Sequence, residues 1–371
     1  MSDTLNALPD KAASKGYDLP DSPTSVGWTR SQAARLADAS NPLPLECGRS
    51  LAPVDVEYEV YGELNAAKDN AILLFHALSG DAHAAGWFAD AESQNRAWLA
   101  SRPGWWDTMI GPGKALDTSR YCVICSNVLG SCYGTTGPIS TDPATGQPYA
   151  LTFPVVTIGD WVRLQERLVT HLGIDRLLAV VGGSLGGQQA IEWALAYPER
   201  LRSSIVLASS PRLSAQGLAF NAVARHAIRT DPNFRDGLYN GGSAPDKGLG
   251  VARMIGHITY LSELAMERKF GRRLRDREEL GFHFDVDFEV ESYLLHQART
   301  FGERFDANSY LYITKAMDYY DAAVWGDGDL AAAAARARCA WLVTSFSSDW
   351  LYTPQSTREW VNALCANRLP V

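Results

Sequence analysis

No uninterrupted apolar run in the sequence approaches the roughly 18 residues that a membrane-spanning helix needs, so nothing in it reads as a membrane anchor. The opening stretch MSDTLNALPDKAASKGYDLPDSP has no apolar core of the kind a secretory signal carries. Cysteine is scarce: six in 371 residues, at positions 47, 122, 125, 132, 339 and 365, too few and too scattered for a disulfide framework. A reducing, cytoplasmic setting is expected. There is no Lys/Arg run, and 34 basic against 42 acidic residues leave a net charge of −8, which opposes nucleic-acid binding. What remains is an ordinary globular composition, 46% hydrophobic, with enough length for one large core carrying an insertion.

Cys122-x-x-Cys125 lies inside the apolar run RYCVICSNVL, where residues three apart point to opposite faces of a strand, so it reads as structural; no metal site is expected. In VDVEYEVYG, Val54, Val56, Tyr58 and Val60 alternate with Asp55, Glu57 and Glu59, which predicts a half-buried strand. Further strands are expected at AILLFHAL, RYCVICSN, LLAVVGGS, SSIVLASS and CAWLVTSF, mostly continuous apolar runs such as parallel strands covered on both faces require. Between them, Thr157 can cap a helix with Asp160 in its first turn and Gly173 at its end. Strand and helix alternate, which predicts an α/β fold with a mainly parallel sheet. Residues 1–45 read as a loosely ordered extension and 46–211 as the core. Residues 212–327 read as a helical lid insertion, and 328–371 as the return of the core, incomplete at its end.

The stretch VVGGSLGGQQA sets one serine among four glycines, between an apolar strand and a helix. Gly182-Gly183-Ser184-Leu185-Gly186 fits G-x-S-x-G in the strand–turn–helix context that motif needs, with small neighbours giving clearance to an exposed nucleophile. The N–H of Leu185 at the helix start is an expected oxyanion donor, and the N–H of Leu78, in LLFHALSGDAH, a second. Asp349, just past a late strand, is the expected acid. His76 and His83 read as structural, because the chain order Ser, Asp, His puts the base after the acid. No histidine follows Asp349: the seven stand at 76, 83, 171, 226, 257, 283 and 296. The expectation is therefore a chain interrupted before its base, leaving a sheet edge unpaired and activity in doubt.

On the blocks HALSGDAH, PGWWDTMIGPGKALDTSRYCVICSNVLGSCYGTTGP, GGSLGGQQAIEWA, SSPRLSAQGLAFNAVARHAI and ARMIGHITYLSE, the sequence from about Leu45 onward resembles the homoserine O-acyltransferases of the α/β-hydrolase fold. The resemblance implies an acyl-CoA-dependent transfer through an acyl-serine to L-homoserine, in methionine synthesis. It implies Ser184 as nucleophile, Asp349 as acid, and Arg253 as the group that binds the homoserine carboxylate; the family's histidine, and the aspartate after it, fall beyond Val371. Succinyl-using relatives tend to carry arginine two residues after the catalytic aspartate; Leu351 stands there, which favours acetyl-CoA as donor substrate, with no separate cofactor. Homodimerisation through the helical insertion is also implied. Alternatives are a succinyl donor or serine acceptor, an ester hydrolase on the same fold, and a noncatalytic scaffold. GPGKAL lacks the spacing of a phosphate loop.

Overall fold

The apolar runs form one seven-stranded sheet in a computed structural model that describes residues 16–94, 96–239 and 242–371. Its strands are β1 (Gln32–Ala37), β2 (Val54–Tyr61), β3 (Ala71–Phe75), β4 (Cys122–Ser126), β5 (Ala179–Gly183), β6 (Ser203–Leu207) and β7 (Ala340–Thr344). They lie in the order β7-β6-β5-β3-β4-β2-β1. β3 through β7 are mutually parallel, whereas β2 runs antiparallel to β4, and β1 antiparallel to β2. The order reverses at β3, whose neighbours β4 and β5 lead away on opposite sides. Parallel sheets place their ligand crevice beyond the carboxyl ends of such strands.

Two apolar layers cover the sheet. Leu73, Phe75, Cys122, Ile124 and Val180 face the layer containing α1 (Ile158–His171) and α2 (Leu185–Ala196), while Ile72, Leu74, Val123, Cys125 and Val181 face the other. Cys122 and Cys125 thus lie on opposite faces; burial pushes the Cys122 thiol up to about 11 and Cys125 well above its usual value. Among the described residues no His, Cys, Asp or Glu group is placed to hold a metal, and no helix is long and apolar enough to cross a membrane.

Between β6 and β7 the chain makes α3 (Ala215–Thr230), α4 (Asp246–Thr259), α5 (Glu263–Lys269), α6 (Glu289–Gly302), α7 (Ala307–Tyr319) and α8 (Leu330–Ala334). α4 lies against α3 and α6, and α3 against α7. After β7 comes α9 (Pro354–Ala366), and the tail folds back so that Trp341 N–H donates to Pro370 O at 2.8 Å at the start of the outer edge of β7. Leu342 farther along that edge is exposed.

Two expectations need correction. Residues 16–45 are not loosely ordered: Trp28–Thr29 pairs with Trp87–Phe88, and β1 joins the sheet with Ala34 and Ala37 buried. Residues 1–15 lie outside the described ones. The acids of β2 do not all face solvent either. Glu57 and Glu59 are buried, because Arg96 grips Glu57 with both guanidinium arms, and Ser31, Tyr61 and His83 surround Glu59. Alternation found the strand but missed a second polar layer above it.

The α1 start follows its sequence signal. Thr157 Oγ1 accepts from Asp160 N–H at 3.1 Å, and the Asp160 carboxylate accepts from Thr157 N–H at 3.0 Å. Asp160 is fully buried and also accepts from Glu46 N–H and Arg163. Thr157→Ala is expected to lower unfolding free energy by about 1–2 kcal/mol, read as a shifted midpoint at unchanged slope in urea denaturation.

Candidate active site

Ser184 sits between β5 and α2 with φ 55° and ψ −123°, a conformation that costs a residue with a side chain about 1–3 kcal/mol. Surrounding bonds hold it there. Its N–H donates to Leu207 O at 3.0 Å, and its carbonyl accepts from Ser209 Oγ at 2.7 Å and Gly187 N–H at 2.9 Å. The glycines are not equivalent. A Cβ on Gly182 would lie 2.1 Å from Gly186 O, on Gly186 2.4 Å from Phe75 O, and on Gly187 2.4 Å from Ser209 Cβ, whereas on Gly183 its nearest neighbour would be Leu207 O at 3.6 Å. Three glycines let strand and helix close, and the fourth has room.

Ser184 opens into a cavity of about 1010 Å³ whose wall includes Ala77, Ser79, Gly80, Asp81, His83 and Arg304. That volume is at the upper end for small-molecule sites and exceeds what an amino acid alone would fill. Leu78 and Leu185, the expected oxyanion donors, are not part of the wall; each sits beside wall residues, in the loop after β3 and at the first position of α2. The Leu185 N–H belongs to the helix start, where backbone donors lack intrahelical partners.

None of the described histidines reaches Ser184. His76 is buried: Nδ1 donates to Ala77 O at 2.8 Å, while Nε2 accepts from Val128 N–H at 3.2 Å, so the ring is held neutral and burial lowers its pKa to about 4. His83 lies against Glu59 at 3.2 Å and Thr29 at 3.3 Å. His257 shares a hydrogen bond with Tyr293 and is also lowered to about 4, first by burial and then by Arg253, Lys269 and Arg304. Among the described residues no histidine bonds to Ser184 or Asp349. The Asp349 carboxylate instead accepts from Leu351 N–H at 2.9 Å and Tyr352 N–H at 2.8 Å.

Tyr352 was not foreseen. Its phenol is buried with no hydrogen-bond partner among the described residues, and its ionisation is pushed up by burial, opposed by the neighbouring Ser184 and reinforced by Tyr260 and Asp349. Three residues past Asp349, it lies between Asp349 and Ser184; only its spacing from Asp349 could have marked it. Leu351 is half-buried against the core. Arg253 reaches the loop after β3: Nη1 donates to Ser79 Oγ at 3.1 Å, its guanidinium lies 4.6 Å from the Phe301 ring centre, and Nε is buried with no partner among the described residues.

Sheet order and a strained serine after β5 define an α/β hydrolase, and a family profile described as alpha/beta hydrolase fold matches residues 70–369. The homoserine O-acetyltransferase of Solidesulfovibrio magneticus is 55% identical over 94% of this chain and 86% of its own length. The homoserine O-succinyltransferase of Acidithiobacillus ferrooxidans is 56% identical over 92% and 86%. A crystal structure of homoserine O-acetyltransferase from Bacillus anthracis superposes with a TM-score of 0.81 at 31% identity, covering 92% of this chain and 89% of that one. The chain belongs to the homoserine O-acyltransferase family.

Two measurements probe this geometry. Gly186→Ala should be strongly destabilised or fail to fold, because its Cβ meets the backbone of β3, while Gly183→Ala should melt within a few degrees of the parent in a thermal scan. His76 sets a pH window: its folded pKa near 4 lies below the ordinary 6.5, so the unfolded chain binds the proton first on acidification. Its contribution is whole above about pH 6.5 and falls as pH drops towards 4, by roughly 3 kcal/mol, and denaturation midpoints across that range should steepen relative to His76→Gln.

Proposed function

We propose that the chain is an acyl-CoA-dependent O-acyltransferase that moves an acetyl group to the hydroxyl of L-homoserine by way of Ser184. The observation that carries this is the strained Ser184 in the wall of a large cavity, in a chain over half identical to proteins named for that transfer. In the first half-reaction Ser184 Oγ bonds to the thioester carbonyl carbon, the C–S bond breaks, and CoA leaves with the serine proton. In the second, the homoserine hydroxyl attacks the acyl-serine, and the proton it releases returns to Ser184. We assign the developing oxyanion to the N–H groups of Leu78 and Leu185, the orienting carboxylate to Asp349, and the grip on the homoserine carboxylate to Arg253.

Acetyl is favoured over succinyl by Leu351. Relatives named for each donor match almost equally, so identity does not separate them, but Leu351 brings an apolar side chain beside Tyr352 and no cation. All six cysteines are free, consistent with a cytoplasmic setting. We also assign a homodimer to the helical segment, where Val251, Tyr260, Leu264, Phe282, Phe284 and Leu295 are exposed.

Among the described residues no imidazole reaches Ser184, so acylation of this 371-residue chain should be slow yet present, since binding and oxyanion donors retain catalysis when a triad member is missing. Incubation with acetyl-CoA is expected to place an acetyl group on the Ser184 peptide by mass spectrometry, faster than succinyl-CoA places succinyl. Label elsewhere, or label persisting in Ser184→Ala, refutes the nucleophile; faster succinylation refutes the donor. Sedimentation of the same chain should give a dimer, and a monomer at all concentrations refutes that assignment.

A further inference from the structure

A second cleft lies between α3, α7 and the loop before α1. It encloses about 780 Å³, within the usual range of small-molecule sites, and none of its wall residues borders the Ser184 cavity. The segments that build it are fastened to one another. Tyr312 Oη of α7 donates to Phe153 O at 2.6 Å, Asn308 Nδ2 of α7 donates to Gly237 O at 3.0 Å, and Asn221 and Arg225 of α3 both donate to Asp318 on α7. Its lining is largely apolar: Phe234, Leu311 and Tyr312 are buried, and Leu151 and Val155 beside them are exposed. A cleft whose segments are bonded together is formed before a ligand arrives, so little ordering cost falls on binding.

Charge is the other half. Arg225, His226 and Arg229 line the cleft from α3 and Lys315 from α7, against one acid in the wall, Asp236. In a chain of net charge −8 that is a local reversal of sign. Asp318 occupies one arm of Arg225, whose Nη1 is buried with no partner among the described residues. Arg229 and Lys315 have no carboxylate within 4 Å among the described residues; Lys315 Nζ lies 4.5 Å from the Tyr319 ring centre. Arg229 stands in the last turn of α3, where a cation complements the helix end, but that does not account for its sharing an apolar cleft with Arg225 and Lys315. We propose that this cleft binds a small phosphomonoester with an aromatic body, the body on Phe234, Leu311 and Leu151 and the phosphate on Arg225, Arg229 and Lys315. One guanidinium fork is enough for a planar carboxylate, whereas a tetrahedral dianion can take donors from two helices at once, so three cations on two helices favour phosphate. The site stands or falls independently of what Ser184 does.

Calorimetric titration of the unmodified chain with 1-naphthyl phosphate, inorganic phosphate and 1-naphthol tests both halves of the site. The naphthyl phosphate should bind at least about tenfold more tightly than either fragment, and its affinity should fall as salt is raised. Arg229→Gln and Lys315→Gln should each weaken it by about threefold to tenfold and leave naphthol unchanged. A merely structural role would weaken naphthol as well. Neither side chain has a carboxylate partner to strand, so both variants should melt with the parent; if Lys315→Gln does not fold, Arg229→Gln carries the comparison. Arg304→Gln, in the wall of the other cavity, should change nothing. Affinity lost in Arg304→Gln and kept in Arg229→Gln and Lys315→Gln assigns the anion to the Ser184 cavity and overturns the proposal. Inorganic phosphate binding as tightly as the naphthyl ester, or a parent that binds neither, overturns it too.

Discussion

Everything at this site depends on a backbone held where a serine does not rest by itself. Ser184 takes φ 55° because its N–H and carbonyl are tied to β6 and to Ser209 beyond it, and because Gly182, Gly186 and Gly187 let α2 approach the sheet without any Cβ in the way. The strain of about 1–3 kcal/mol is small beside the apolar burial on the two sheet faces, but it is local, so only local contacts can maintain it. Gly186 against Phe75 O is the tightest link to β3. The same approach that raises the serine therefore also places it beside the loop leaving β3, and Ser184 and that loop share one constraint.

Several buried polar groups around the cavity are paired or neutral. Glu57 and Arg96 neutralise each other, Glu59 meets His83, and His76 and His257 stay uncharged. Glu192, behind the serine on α2, is pushed up to about 7 by burial despite the Trp325 N–H bond. Arg253 and Arg304 meet at Ser79, where Asp81, buried in the same cavity wall as Arg304, acts on that guanidinium.

Much of this was legible in the chain itself. Continuous apolar runs became β3 to β6, Thr157 and Asp160 capped α1 as spaced, and the serine turn followed its glycines. The failures have physical causes. Alternation in β2 reports only that one face is apolar, and cannot show that Glu57 and Glu59 are covered by segments far away in sequence, among them Ser31 and Arg96. The extension before residue 45 looked unstructured because β1 is short and takes its order from pairing with β2. Tyr352 and Arg304 carry no motif; they matter through proximity to Ser184 and Ser79, which only folding creates.

The loop Ala77–Asp81 shows how the two layers of the molecule act on one another. From below, His76 pins its start: one ring nitrogen donates to Ala77 O and the other accepts from Val128 N–H, a pair of bonds that only the neutral ring can make. From the opposite side, Arg253 of α4 and Arg304 of the α6–α7 turn hold its middle through Ser79. The sheet thus sets where an acyl group would attach, and the helices between β6 and β7 set where a carboxylate would be gripped, with five residues of loop in common.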